Sequence, residues 1–451
     1  MPLPLVLIHG YSDEGTSYAK WKAALQSAPG VPEPQVINIC SYVTLNNEIT
    51  VDDIAEGLDH ALRERGLDKK PFDAIVHSTG MLVIRSWLTA QNSSEKRQGL
   101  LKHLIALAPA TFGSPIAAKG RSLLGRIFKG NKQLGPDFLN SGNLVLSNLE
   151  LGSSYTWDLA HRDMIGKTFY GDDNATPYVF VFDGTSDYGK LAEIFDSNDQ
   201  AGTDGTVRWA GCALNTRKIT LDLSQTGDTR FSWSDWTNIN IPLIPVHGLD
   251  HGQILQQPPD ELISLVKQAL AVNDKASLDK FYQETVPSSR IVQQGQQAIS
   301  GNRWQQFIVR ALDSRGNPIT DYSIEIVARD GSAETTIGAF EKDVSPFTAD
   351  KSFRCFHVRL DDVNPKPGSR LIARIIASTG TDLVGYQGYG TDPNSATSPT
   401  IGPVDIDITE FDGNTAGKPV LFYPFTTTLI EIKLNRRPIP LSGPLEIFKF
   451  I

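Results

Sequence analysis

Val76-His77-Ser78-Thr79-Gly80 is the stretch on which the reading of this chain turns. It follows the short apolar run Phe72-Asp73-Ala74-Ile75-Val76 and precedes a helix-like run from Met81 to Gln91. A serine at such a junction is predicted to sit on a tight strand-to-helix turn with its hydroxyl exposed, as in the pattern G-x-S-x-G. Val76 stands where that pattern has its first glycine, and Gly80 supplies the second. The physical demand is smallness beside a strained serine, and Gly80 meets it on the helix side. A lone S-x-G is common, and the ordinary alternative for Ser78 is an N-cap serine that opens a helix. The setting decides between the two.

Residues 1 to about 275 alternate strand-like and helix-like segments, which predicts an α/β domain with a mostly parallel central sheet flanked by helices. Leu5-Val6-Leu7-Ile8 is short, apolar and stops before Gly10, as a fully buried strand should. Ile54, Leu58 and Leu62 give a helix from Val51 to Arg65 one buried stripe. Leu104 to Leu107 and Tyr178 to Phe182 supply further central strands. Pro259 opens a helix whose inner face is Leu262, Val266, Ala269 and Leu270. The segment 116–176 has no strand character and is expected to form a helical lid or cap within a first domain spanning 1–276.

Beyond Ala276 the grammar changes. Tyr322, Ile324 and Ile326 alternate with polar residues, as do Phe356, Val358 and Leu360, and Ile430, Ile432 and Leu434. Period-two patterning, with turn clusters such as Asp313-Ser314-Arg315-Gly316-Asn317-Pro318, predicts an all-β antiparallel sandwich over 281–451.

Composition removes several classes of function. The chain has 451 residues and a net charge of -9, and it offers no basic stripe for phosphate neutralisation, so no nucleic-acid partner is expected. Cys40, Cys212 and Cys355 are too scattered for a disulfide framework or a zinc knuckle and are expected to be buried free thiols. No apolar run approaches the ~18 residues of a membrane span. The N-terminus reads as a core strand rather than a signal peptide. The compartment stays open: cytoplasmic, secreted without such a signal, or secreted with the signal already removed. Asp361-Asp362, Asp405-Ile406-Asp407 and Asp172-Asp173 are read as solvated loop acids, so no metal and no cofactor is expected.

Acyl transfer through a serine needs a base, a group that orients the base, and donors for the oxyanion. Candidates follow in the chain order serine, acid, histidine. Asp204 lies in the glycine-rich loop Gly202-Thr203-Asp204-Gly205-Thr206-Val207, with Asp183 and Asp187 as rival acids. His251 lies just before the last helix of the α/β domain, with His247 as its rival. His9-Gly10-Tyr11 follows the first strand, and the amides of Tyr11 and Thr79 are the expected oxyanion donors. His77 reads as a structural neighbour of the serine.

With these residues in order, the chain resembles the α/β-hydrolase lipases and esterases over about residues 3 to 270. Strand-then-His9-Gly10 looks like their oxyanion strand, and His77-Ser78-x-Gly80 is similar to the elbow of small bacterial lipases. Ala108-Pro109-Ala110-Thr111-Phe112-Gly113-Ser114-Pro115 looks like the segment that leads into the lipase lid. Asp204-Gly205-x-Val207 resembles the acid loop and Asp250-His251 the final D-H. The departures are Val76 in the elbow and the bulky Tyr11. The resemblance implies a serine carboxylic-ester hydrolase with Ser78, Asp204 and His251 as its triad, acting on esters or lipids.

Leu123, Leu124, Ile127 and Phe128 fall at helical spacing among basic residues. They read either as an amphipathic lid helix that meets a lipid interface or as an ordinary cap helix. Together with Trp233 and Trp236 they are the candidate lining of an acyl pocket. Two further readings stay open: a phospholipase or effector whose sandwich docks on a membrane, and a non-catalytic hydrolase-fold protein that binds through the sandwich.

Overall fold

The computed structural model describes residues 3–8, 17–26, 35–37, 49–90, 94–119, 143–166, 169–171, 175–187, 201–227, 230–234, 241–391, 400–411 and 420–439. The chain divides into two compact units. One is Met1–Thr216 with Trp236–Gly301, and the other is Arg217–Asp235 with Asn302–Ile451.

In the first unit, strands β1 (Leu5–Ile8), β2 (Gln35–Ile37), β3 (Phe72–His77), β4 (Leu101–Leu107), β5 (Tyr178–Gly184) and, after two strands that belong elsewhere, β8 (Leu243–Val246) form one sheet in the order β2-β1-β3-β4-β5-β8. Every pairing in it is parallel. The strands β1, β3 and β5 are buried from end to end, as a sheet covered on both faces requires. Helix Val51–Glu64 starts on a capping box in which the Thr50 hydroxyl accepts from the Asp53 amide and the Asp53 carboxylate accepts from the Thr50 amide. It buries Ile54, Ala55, Leu58 and Leu62. The following helix, Gly80–Thr89, is buried on all sides.

Strand order reverses between β1 and β3, because β1 leads outward to β2 and β3 leads the other way to β4. Ligand sites of open parallel sheets lie beyond the carboxyl ends of the strands at such a switch point. His9-Gly10-Tyr11 follows β1 in sequence and Ser78 follows β3.

The helical region continues past the junction expected at 276–281. Helix Arg290–Ile299 belongs to the first unit and turns Ile291, Val292, Gly295 and Ile299 inward. A Cβ on Gly295 would lie 2.4 Å from the Pro245 carbonyl oxygen, so the helix seats directly on the end of β8. Tyr282 donates to the Val179 carbonyl at 3.2 Å and Phe281 meets Phe180 edge-on at 4.9 Å.

The second unit also recruits strands from earlier in the chain. β6 (Thr216–Asp222) and β7 (Phe231–Trp233) join its larger sheet, where β6 pairs with β18 (Thr427–Pro438). Ile219, Leu221 and Leu223 alternate with Lys218, Thr220 and Asp222, which is the grammar of a half-buried antiparallel strand inside an α/β stretch. The remaining strands run β9 (Trp304–Asp313), β10 (Asp321–Asp330), β11 (Ala333–Ile337), β12 (Val344–Pro346), β13 (Phe353–Arg359), β14 (Arg370–Ser378), β15 (Val384–Gly388), β16 (Thr400–Ile401) and β17 (Val404–Asp407). One sheet has the order β11-β10-β14-β17, and the other runs β12-β13-β9-β18-β15-β16. One hydrophobic core joins them, with Phe307, Val309, Phe356, Val358 and Ile432 from one sheet and Ile324, Ile326, Ile375 and Ile406 from the other. The sandwich departs from the antiparallel expectation where β18 pairs with β9 in parallel, from Thr427 opposite Gln306 to Leu434 opposite Asp313.

Candidate active site

Ser78 occupies the turn between β3 and helix Gly80–Thr89 with φ at +52°, a left-handed conformation that a side chain other than glycine adopts only when its surroundings enforce it. Three backbone bonds do so. The Ser78 amide donates to the Leu107 carbonyl at 3.2 Å, and the Ser78 carbonyl accepts from Met81 at 3.1 Å and from Ala110 at 3.1 Å. Val76, in the glycine position of the pattern, is a fully buried β3 residue paired with Ile8 and Ala106, so the strand accommodates its side chain. The N-cap alternative for Ser78 does not apply: the cap position belongs to Thr79, which makes no side-chain cap bond. Among the described residues the Ser78 hydroxyl and the Thr79 amide hold no hydrogen bond, which leaves both groups available at the mouth of the turn. Tyr11 lies outside the described residues.

Asp204 and His251 meet directly. The His251 Nδ1–H donates to Asp204 Oδ2 at 2.7 Å, with both side chains buried. The other carboxylate oxygen of Asp204 accepts from the amides of Thr206 at 2.9 Å and Val207 at 2.8 Å. Gly205 makes that turn possible with φ at +96°. The two loops are also tied by backbone, because the His251 amide donates to the Asp204 carbonyl at 3.0 Å. With Nδ1 committed to the carboxylate, Nε2 of His251 is the basic nitrogen.

His77 connects this pair to the serine turn. Its Nε2 meets the His251 carbonyl oxygen at 2.9 Å and therefore carries the proton, and the two rings stand 4.7 Å apart. His77 is thus a clamp between the serine strand and the histidine loop. The rival base His247 is exposed, and its amide bonds the Ile291 carbonyl at 3.1 Å.

The rival acids separate in the same way. Asp187 is exposed. Asp183, at the end of β5, is fully buried, with its carboxyl group within hydrogen-bonding reach of that of Asp204. It also accepts from the Gly184 amide at 2.8 Å and from the Cys212 thiol at 3.1 Å. Burial first, and the charge of Asp204 second, push the Asp183 carboxyl well above the ordinary range. Burial and the neighbouring Asp183 push the Cys212 thiol up as well. Cys212 and Cys355 are buried and take part in no disulfide among the described residues, and Cys40 lies outside them.

Gly184 sets the distance between the acid strand and the histidine loop. A Cβ there would fall 2.1 Å from the Leu249 carbonyl oxygen, so only glycine lets the loop before His251 lie against β5. No pattern in the sequence singled out Gly184; its role arises from packing between distant segments.

The pocket candidates Leu123, Leu124, Ile127, Phe128 and Trp236 lie outside the described residues. Trp233 lies on β7 of the second unit and is 38% exposed. Within 116–176 the structure describes helices Asn143–Leu149 and Ser154–Asp163. The second of these is bonded to the helix after Ser78 by a fully buried ion pair, Arg85 Nε to Asp163 at 2.7 Å. Among the described residues no group of three or more His, Cys, Asp or Glu side chains could hold a metal, and no helix is long and apolar enough to cross a membrane.

A parallel sheet reversing at β1/β3, with a strained serine after β3, an acid loop after β5 and a histidine loop after β8, is the α/β-hydrolase fold, here with an appended β-sandwich. Among solved structures, phospholipase PlaB from Legionella pneumophila matches at a TM-score of 0.75 and 22% identity, covering 100% of this chain and 97% of that one. PlaB in complex with thio-NAD matches at a TM-score of 0.73 and 21% identity, covering 99% and 97%. At such identity the likeness shows the fold, and it extends to the sandwich. No family model and no curated protein matches the chain.

Proposed function

We propose that the chain is a serine carboxylic-ester hydrolase that acts on acyl esters of lipids. The observation that carries this reading is the buried 2.7 Å bond from His251 to Asp204, held beside a serine at φ +52°. In the proposed mechanism Nε2 of His251 takes the Ser78 proton as the hydroxyl oxygen attacks the ester carbonyl. Asp204 fixes the imidazole tautomer and stabilises its positive charge. The amides of Thr79 and Tyr11 hold the tetrahedral oxyanion. His251 then protonates the leaving alcohol, and water repeats the sequence on the acyl-enzyme to release the acid.

Phospholipid is the ester class that the comparisons favour, since the chain resembles a phospholipase over its whole length, sandwich included. Fluorophosphonate labelling of the wild type and of Ser78→Ala tests the mechanism. A phosphatidylcholine vesicle assay beside a p-nitrophenyl ester series tests the substrate. An unlabelled wild type would return the chain to the reading of a non-catalytic hydrolase-fold protein.

A further inference from the structure

Asp183 is chemically the same as Asp204 and sits beside it, yet the proposed mechanism uses only one of them. Both side chains are excluded from solvent. Asp204 already accepts three donors: the amides of Thr206 and Val207 on one oxygen and the His251 imidazole on the other. Asp183 accepts the Gly184 amide and the Cys212 thiol. The two carboxyl groups lie within hydrogen-bonding reach of each other. Two carboxylate oxygens in hydrogen-bond contact need a proton between them, because buried like charges at that separation cannot both ionise. The donors show on which side it resides. Asp204 faces the histidine that becomes positive during turnover, whereas Asp183 faces only neutral donors, since the Cys212 thiol stays protonated.

We infer that Asp183 is a positioning residue, a neutral carboxylic acid that donates its proton to Asp204 and holds that carboxylate against His251. The inference rests on the proposed ester-hydrolase reading and adds a fourth member to its hydrogen-bonded chain. The groups facing the pair are His251 and Cys212, with Asp250 close enough to Asp204 and His251 to interact electrostatically. The added bond gives the Asp204 carboxylate a fourth donor and so helps to fix its orientation toward His251. It also draws charge from the carboxylate, which moderates its pull on the imidazolium proton. When the pH rises far enough to ionise Asp183, the bond is lost and two buried carboxylates repel, so turnover falls on the alkaline side.

The test compares wild type, Asp183→Asn, Asp183→Ala and Asp204→Asn on p-nitrophenyl butyrate across pH. Asparagine keeps a donor aimed at Asp204 and cannot ionise. Asp183→Asn is therefore expected to hold kcat within about threefold at neutral pH and to extend the alkaline limb upward. Asp183→Ala is expected to lose roughly 10- to 100-fold in kcat at unchanged KM. Asp204→Asn is expected to lose about 10⁴-fold, because its amide forces the wrong histidine tautomer. Hydrogen/deuterium difference infrared spectra should show the carbonyl stretch of a buried protonated acid in wild type and not in Asp183→Asn. Fluorophosphonate labelling of the wild type is measured alongside. It reports on the ester-hydrolase reading alone, and the infrared band reports on the shared proton alone. The inference is overturned if Asp183→Asn loses as much activity as Asp204→Asn, if Asp183→Ala retains the wild-type kcat and pH profile, or if the band is missing from wild type.

Discussion

The two units each gather carboxylates into a cluster, and they treat them in opposite ways. In the first, Asp183 and Asp204 are sealed from water, and their partners are amides, a thiol, an imidazole and each other. In the second, Glu334 on β11 and Asp405 on β17 lie on the four-stranded sheet, each bonded by both Arg329 of β10 and Arg374 of β14. Burial alone would raise the Asp405 carboxyl, but hydrogen bonds from Arg374 and Arg329 outweigh it and hold it below the ordinary range. Bonds from Arg374 and then Arg329 lower Glu334 likewise. Opposite charges across a sheet face lock carboxylates in the ionised form and leave them inert. A buried cluster without arginine keeps a proton in play, which is what proton-transfer chemistry needs.

The comparison is put at greatest risk by Ser78→Ala. If the first cluster serves turnover, this change should lower ester hydrolysis by roughly 10⁴- to 10⁶-fold with unfolding unaltered. Retention of activity would make the first cluster as structural as the second.

The next test asks whether burial or partner identity sets the behaviour of a carboxylate. Asp163 is as buried as Asp204, but it is clamped by Arg85, whose Nη1 also donates to the Thr111 carbonyl at 2.7 Å. Burial works against the Arg85 charge, and Asp163 more than offsets it, so the guanidinium stays charged. Asp163→Ala leaves that charge buried and unpaired and should cost about 3–5 kcal/mol in urea unfolding. A loss below 1 kcal/mol would mean that the helix Ser154–Asp163 opens readily and that water reaches Arg85. Gly184→Ala comes third. The added Cβ displaces the loop before His251, so kcat should fall about 10- to 100-fold, with a smaller loss in stability than Asp163→Ala causes.

Much of the first unit was legible because its signals are local. A short apolar run ending at His77-Ser78-Thr79-Gly80 defines strand, turn and helix within a few residues. Asp204-Gly205 marks its own turn. The period-two strand β6 was not legible, because it lies within a stretch of α/β alternation and its partner β18 follows some two hundred residues later. Most of the helical stretch from Lys275 to Ile299 read as the start of the sandwich, because nothing local shows that Gly295 meets Pro245 or that Tyr282 reaches Val179. Asp183 appeared only as a rival acid. That it touches Asp204 depends on how β5 and the 202–207 loop fold back on each other, and a contact of that kind leaves no periodicity.

The smallest expected effect separates the two clusters by sign. Asp405 and Glu334 have folded values held below those of an unfolded chain, near pH 4. Their stabilisation is fully present above that pH and is lost as pH falls through the folded values. Asp183 is raised, so its contribution is present below about pH 4 and is lost as pH rises through its folded value. Unfolding midpoints measured from about pH 3 to about pH 10 should therefore fall at both ends for different reasons. Asp405→Asn should cost no more than about 1 kcal/mol at neutral pH, because the network is partly exposed, and should flatten only the acid limb. Asp183→Asn should flatten only the alkaline limb and leave the acid limb of the wild type in place. If Asp405→Asn instead changed the alkaline limb, the arginine-clamped carboxylates would have to be protonated in the folded state. The contrast between the two units would then be one of exposure rather than of partner.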